Sequence, residues 1–201
     1  MPKLSLSFYQ QEDVISLAKQ LLGKKLITFI DGELTGGIIV ETEAYNGVID
    51  KASHAYNGRY TPRTSTMYKA GGVSYVYLCY GIHYLFNVVT GVEGNPHAVL
   101  IRGLEPVDGL STMLDRRKMA KLAPRITAGP GALAQALGID KNLNAKDLLG
   151  DEIWIEDVGI HYADAQIISS PRVGVAYAQD HALLPWRFYI KGNKFVSKPN
   201  S

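Results

Sequence analysis

Two carboxylates set two residues apart, Glu41 and Glu43 in the run VETEAY, are the groups in this chain best placed to do chemistry. On a β-strand that spacing puts both on one face. A positioned carboxylate can take a proton from water, and polar company stands close by in Tyr45 and His54. Downstream, residues 51–92 contain no Asp or Glu, yet carry Lys51, Arg59, Arg63, Lys69 and seven of the twelve tyrosines. Cations interleaved with aromatic rings suit a ligand that offers phosphates and flat bases. An acid bordering such a surface repels a phosphate backbone, so it makes more sense there as a reacting group than as a binding one. Against this, most strand glutamates are simply solvated, and a lone histidine is more often structural than catalytic.

Other chemistries lack their residues. His97, His161 and His181 show no metal-ligand spacing, and neither His83 nor Cys79 has a partner in sequence. There is no G-x-S-x-G elbow, no P-loop and no G-x-G-x-x-G between a strand and a helix. The run Arg116-Arg117-Lys118, with Lys121 and Arg125, suits phosphate contacts or equally a solvated helix end.

The composition is that of one folded core. At 201 residues, 46% hydrophobic and 20% charged, the chain fills one domain and is short for two. A net charge of +2 makes any affinity for nucleic acid a matter of local charge. The single cysteine, Cys79, excludes an internal disulfide and fits a reducing compartment. The opening MPKLSLSFYQQEDV is broken by Glu12 and Asp13, so no signal peptide is expected. Ala70 to Val92 is uncharged over a membrane-spanning length, but its four tyrosines and strand-like alternation argue against a membrane helix.

The elements that must position these groups are mostly strands. Val14, Leu17, Ala18, Leu21 and Leu22 recur at helical spacing ahead of Gly23. Lys25 to Ile30 and Gly36 to Ala44 read as a hairpin joined at Asp31-Gly32, with Ile39, Glu41 and Glu43 on one face and Ile38, Val40 and Thr42 on the other. Val73 to Tyr80 and Tyr84 to Thr90 pair across Gly81, followed by a strand at Ala98 to Leu104. Helices are expected over Val107 to Ala120 and Pro130 to Leu137, and later strands at Glu152 to Glu156, Ala165 to Ser169 and Arg187 to Lys191. The result is a single α+β domain over residues 1–201, with a mostly antiparallel sheet.

The motifs GGIIVETEAYNG, SHAYNGRYTPR, VSYVYLCYGIHYLFNVV, AVLIRGLEPVDGL, AGPGALAQALGI, PRVGVAYA and LPWRFYIKG follow one another as in the alkyladenine (3-methyladenine) DNA glycosylases. The chain resembles that family from about residue 12 to 197. The resemblance implies a curved sheet with flanking helices and a protruding hairpin. It also implies a monomeric, monofunctional base-excision repair enzyme that acts on double-stranded DNA containing damaged purines, without cofactor, metal, lyase activity or membrane attachment. Such an enzyme extrudes an alkylated or deaminated purine, such as 3-methyladenine, hypoxanthine or ethenoadenine, because the reacting atoms are inaccessible inside the stack.

Residue by residue, the resemblance makes Glu43 the general base on water, with Arg102 and the carbonyl of Val173 helping to hold that water. Tyr45, His54 and Tyr77 would sandwich the base, the backbone near Ala52 would read its edge, and Asn87 would exclude the 2-amino group of guanine. Tyr80 would fill the gap left in the duplex. Ile82, Arg59, Thr61 and Met67 fall at DNA-contact positions, whereas Ala132 replaces a lysine common in the family and removes one phosphate contact. The expected setting is a bacterial cytosol, or a nucleus if the source is eukaryotic. A non-catalytic binder of damaged or single-stranded nucleic acid, or a hydrolase of small nucleosides, stands as the alternative.

Overall fold

In the computed structural model, which describes residues 1–198, the chain opens with two short helices, α1 (Leu6–Tyr9) and α2 (Val14–Gln20). The apolar spacing expected of α2 buries Val14, Leu17 and Ala18. Asp13 caps it, its carboxylate accepting from the Ile15 and Ser16 amides at 3.0 Å each. α1 leaves no sequence signal, because four residues are too few to show a helical period.

Strand β1 (Lys25–Ile30) turns through Asp31-Gly32 into β2 (Glu33–Asn46). Both turn residues take positive φ, 54° and 80°, as a two-residue hairpin turn requires. A second hairpin joins β3 (Ser74–Cys79) to β4 (His83–Thr90), and β5 (His97–Asp108) follows. Helices α3 (Leu110–Arg116) and α4 (Pro130–Leu137) precede the short strands β6 (Ile153–Glu156), β7 (Ile167–Ser170) and β8 (Arg187–Ile190). The sheet runs β3-β4-β5-β2-β1-β6, and β8 pairs with both β2 and β7. Every strand pairing is antiparallel, and the fold is α+β, as expected from the sequence.

β2 is the spine. Its first part pairs with β1, and farther along Glu41, Thr42 and Glu43 pair with β8 on one edge and with β5 on the other. Backbone bonded on both edges is held more rigidly than a loop. The register of β2 on β5 shifts between Ile39 and Glu41. That bulge lets Ile39 and Val40 both join the main core, where strict alternation separates them. Glu41 and Glu43 still share a face, while Thr42 points the other way and donates to the Ala18 carbonyl of α2 at 2.9 Å.

α3 is shorter than its apolar pattern suggests. β5 extends through Glu105, Pro106 and Asp108 by pairing with β2, so the helix starts only after Gly109. In the basic run, Arg116 donates to Thr35 and to the Ala136 carbonyl, and Arg117 to Gln135 and the Arg125 carbonyl. Among the described residues no helix is long and apolar enough to cross a membrane, and the uncharged stretch after Ala70 forms β3 and β4.

Candidate active site

The register of four strands builds one row of side chains. Tyr75 on β3 opposes Asn87 on β4, Asn87 opposes Leu100 on β5, and Leu100 opposes Glu43 on β2. Directly opposed residues of an antiparallel sheet share a face, and alternation adds Tyr77, Ala98, Arg102 and Tyr45 to it.

Glu41 and Glu43 are both fully buried, but their bonding differs. Glu41 Oε1 accepts from Arg102 Nε at 2.9 Å, from Arg187 Nε at 2.7 Å and from the Ser197 hydroxyl at 2.8 Å. Its Oε2 accepts from the Ser197 amide at 2.6 Å. Opposite it, Gly103 admits the terminal segment: a Cβ there would stand 2.6 Å from the Phe195 carbonyl. Glu43 Oε1 accepts from the Val173 amide at 2.7 Å, with Arg102 Nε at 3.4 Å, and Oε2 accepts from the Tyr45 hydroxyl at 2.8 Å. A carboxylate has about four lone-pair sites, so Glu43 keeps acceptor capacity where Glu41 is close to saturated. Burial opposes the charge on Arg102, but Glu43 and Glu41 beside it more than offset this and raise its pKa. Burial, and then Glu43, push the Tyr45 phenol well above its ordinary value, so it stays a donor.

Tyr45, whose hydroxyl donates to Glu43, also lines a small cavity of about 40 Å³ bounded with it by Ala52, His54, Tyr77 and Asn87. Tyr75, Met67, Ala98 and Tyr177 complete its lining. It meets a wider cleft of about 610 Å³ whose walls include Arg63, Tyr80, Arg102, Ala132 and Val173. The His54 ring meets Tyr77 edge-on at 4.6 Å between centroids, and its Nδ1 lies 2.9 Å from the Tyr75 hydroxyl. Burial first, then Arg63 and Arg59, lower the His54 pKa to about 4, which leaves the ring neutral at pH 7. Asn87 Nδ2 donates to the Tyr75 carbonyl at 3.0 Å, fixing its amide.

Behind Tyr45 is a buried ion pair that sequence reasoning missed. Arg172 donates to Asp50 at 2.5 and 2.8 Å and to the Ala44 carbonyl at 2.9 Å. Its guanidinium lies 4.8 Å from the Tyr45 ring centre and 5.1 Å from that of Trp186. Asp50 also accepts from the Asn46 and Ala52 amides. Arg172 immediately precedes Val173, so this pair fixes the amide that holds Glu43. Toward Glu43, Val173 presents its N–H.

The remaining expected residues divide between surface and interior. Tyr80 is 89% exposed and Ile82 71% exposed at the tip of the β3–β4 hairpin. The turn is closed by the Ile82 amide on the Cys79 carbonyl at 3.0 Å, with Tyr80 at φ 50° and Gly81 at φ 72°. A bulky residue at positive φ is strained by about 1–3 kcal/mol, and such strain gathers at working sites. Arg59 is exposed, and Thr61 closes a turn with Thr64. Met67 is not a surface residue: only 2% exposed, it packs with Ala55, Tyr75, Val89 and Ala98, because the turn carrying it folds inward beneath the cavity. The Ala52 carbonyl is taken by the Tyr177 hydroxyl at 3.0 Å. Among the described residues no three His, Cys, Asp or Glu side chains gather where they could hold a metal ion.

Known proteins are similar to this sequence. The model of the methylpurine-DNA glycosylase family matches residues 7–194. A protein of Chlamydia felis named "Putative 3-methyladenine DNA glycosylase" is 47% identical over 189 residues, covering 94% of this chain and 96% of that protein. Proteins bearing the same name from Desulfitobacterium hafniense, at 43% identity over 98% of this chain and 99% of its own, and Natranaerobius thermophilus, at 46% over 97% and 98%, are similar along nearly their whole length.

Proposed function

Because the chain belongs to the methylpurine-DNA glycosylase family, and is therefore a DNA-repair hydrolase of N-glycosidic bonds, we propose that it extrudes alkylated or deaminated purines from duplex DNA and releases them with a water activated by Glu43. The observation that carries this is the bonding of Glu43. It is fully buried behind Tyr45, Arg102 and Val173, which line the cleft, and it accepts from the Tyr45 hydroxyl and the Val173 amide where Glu41 is bound by two arginines and Ser197.

An extruded purine stacks between Tyr77 and Tyr45 with His54 at its edge. As the bond to C1′ lengthens, the sugar gains oxocarbenium character, which the Glu43 carboxylate stabilises while it takes a proton from the attacking water. The Val173 amide and Arg102 hold one Glu43 oxygen and the Tyr45 hydroxyl holds the other, so neither oxygen needs to reorganise during the reaction. A cationic alkylated base leaves neutral without protonation, so one carboxylate suffices. Asn87, pinned by the Tyr75 carbonyl, stands where a 2-amino group would lose its space and its partner. The protein acts as a monomer, in the cytosol of a bacterial cell.

The direct test uses a duplex holding one hypoxanthine or ethenoadenine. After incubation and alkali, strand scission is expected at the lesion and is unaffected by EDTA; an intact strand refutes the proposal. Tyr80 supplies a second test. Strained and exposed at the hairpin tip, its ring replaces stacking lost on extrusion. Tyr80→Ser is expected to lower kcat/KM for lesion excision about tenfold, since stacking on one ring is worth roughly 1–3 kcal/mol. Gel-shift affinity for undamaged duplex should change far less, and an equal loss in both assays would make Tyr80 an ordinary DNA contact.

A further inference from the structure

The cavity of about 40 Å³ has room for about three waters, at roughly 10–15 Å³ of such volume each, and not for a purine. An entering base must therefore displace something. Tyr45, His54, Tyr77 and Tyr177 form the wall shared by the cavity and the cleft. On the cleft side of that wall Arg63 lays its guanidinium over Tyr77, 4.8 Å from the ring centre. A planar cation at that distance covers ring surface on which a purine would stack.

The backbone of Arg63 is not free to carry the charge away. The Thr61 amide donates to the Thr64 hydroxyl at 2.8 Å, the Thr64 amide returns to the Thr61 carbonyl at 3.0 Å, and the Thr64 hydroxyl donates to the Arg59 carbonyl at 3.0 Å. The side chain can swing off the ring, but its charge stays at the mouth of the slot.

We infer that Arg63 is a specificity-determining residue that occupies the base's place on Tyr77 and weighs neutral purines against cationic ones. This rests on the glycosylase function proposed above. A neutral base exchanges with Arg63 for the ring face and meets no opposing charge. A base alkylated at N3 or N7 gains a cation–π contact but also meets the displaced guanidinium as a like charge. Arg63 therefore offsets the bias toward cations that an aromatic slot has by itself, and keeps neutral lesions competitive. The same charge acts on neighbouring groups. It lowers the His54 pKa in second place after burial, ahead of Arg59, and pulls down the Tyr75 hydroxyl against the upward push of burial.

The experiment compares the wild-type chain with Arg63→Gln and Arg63→Lys on two duplexes, one holding hypoxanthine and one holding 3-methyladenine, neither of which carries a 2-amino group. In Arg63→Gln the 3-methyladenine to hypoxanthine ratio of kcat/KM should rise about tenfold, the scale of one nearby like charge at a protein surface. Arg63→Lys restores the charge and should bring the ratio back toward wild type. In the free protein, an NMR titration of the His54 ring should show its midpoint rising in Arg63→Gln and not in Arg63→Lys. An active enzyme whose ratio is unmoved or lowered in Arg63→Gln overturns this inference alone. A wild-type chain inert on both lesions overturns the glycosylase proposal and this one with it.

Discussion

Glu43→Gln is expected to reduce single-turnover excision of hypoxanthine by about a thousandfold, within the 10²–10⁴ that a positioned general base contributes, while lesion-duplex affinity is kept. The substitution nearly preserves shape. A glutamine carbonyl can still accept from the Val173 amide or the Tyr45 hydroxyl, the two donors that now hold Glu43 at 2.7 and 2.8 Å. What it loses is the ability to take a proton from water and the negative charge opposite a developing sugar cation. Arg102 then has one carboxylate less beside it, although Glu41 still holds its Nε at 2.9 Å. Binding by gel shift should therefore survive where chemistry does not. Full turnover by this variant would remove Glu43 from the mechanism.

The largest effect on stability is expected from the pair Arg172 and Asp50. Both side chains are fully buried, and removing one partner leaves an unpaired charge in the interior, a loss of about 3–5 kcal/mol. Arg172→Met should thus lower Tm by about 10 °C, taking roughly 2–4 °C per kcal/mol for a chain of this size. Adding Asp50→Asn should cost less than the two single losses together, because the double variant buries no lone charge. Strict additivity in thermal melts would mean that the two groups do not interact. Below its Tm, Arg172→Met should also excise lesions more slowly than wild type, since Arg172 backs the Tyr45 ring and fixes the Val173 amide.

Much of this site is legible in the sequence because strand alternation is short-ranged. Glu41, Glu43 and Tyr45 share a face at a spacing of two, and Tyr75 and Tyr77 do the same on their own strand. The dipeptide Asp31-Gly32 locates the hairpin, and the residues around Gly81 place Tyr80 at a tip. Alternation fails at Ile39 and Val40, where an extra residue is absorbed by a bulge that no local pattern marks. Partners distant in sequence are silent for a deeper reason: Arg172 lies 122 residues from Asp50, and Ser197 lies 156 from Glu41. No period relates such positions, so Glu41 and Glu43 look equivalent in sequence although one accepts from two arginines and Ser197 and the other from Tyr45 and Val173. That the Val173 amide reaches Glu43 is likewise a property of backbone dihedrals, which side-chain type does not record. The burial of Met67 leaves no mark in the basic, polar loop around it, where no period separates an inward turn from an outward one.

The clasp of Ser197 on Glu41 ties function to the order of synthesis. A ribosome makes Glu41 156 residues before Ser197, and domains organise as they emerge. Until that late segment docks, Glu41 lacks two of its four donors, and Arg102 lacks the Ser197 hydroxyl that receives its second nitrogen at 3.1 Å. A nascent chain is therefore held without a finished hydrolytic centre until Ser197 has emerged and docked.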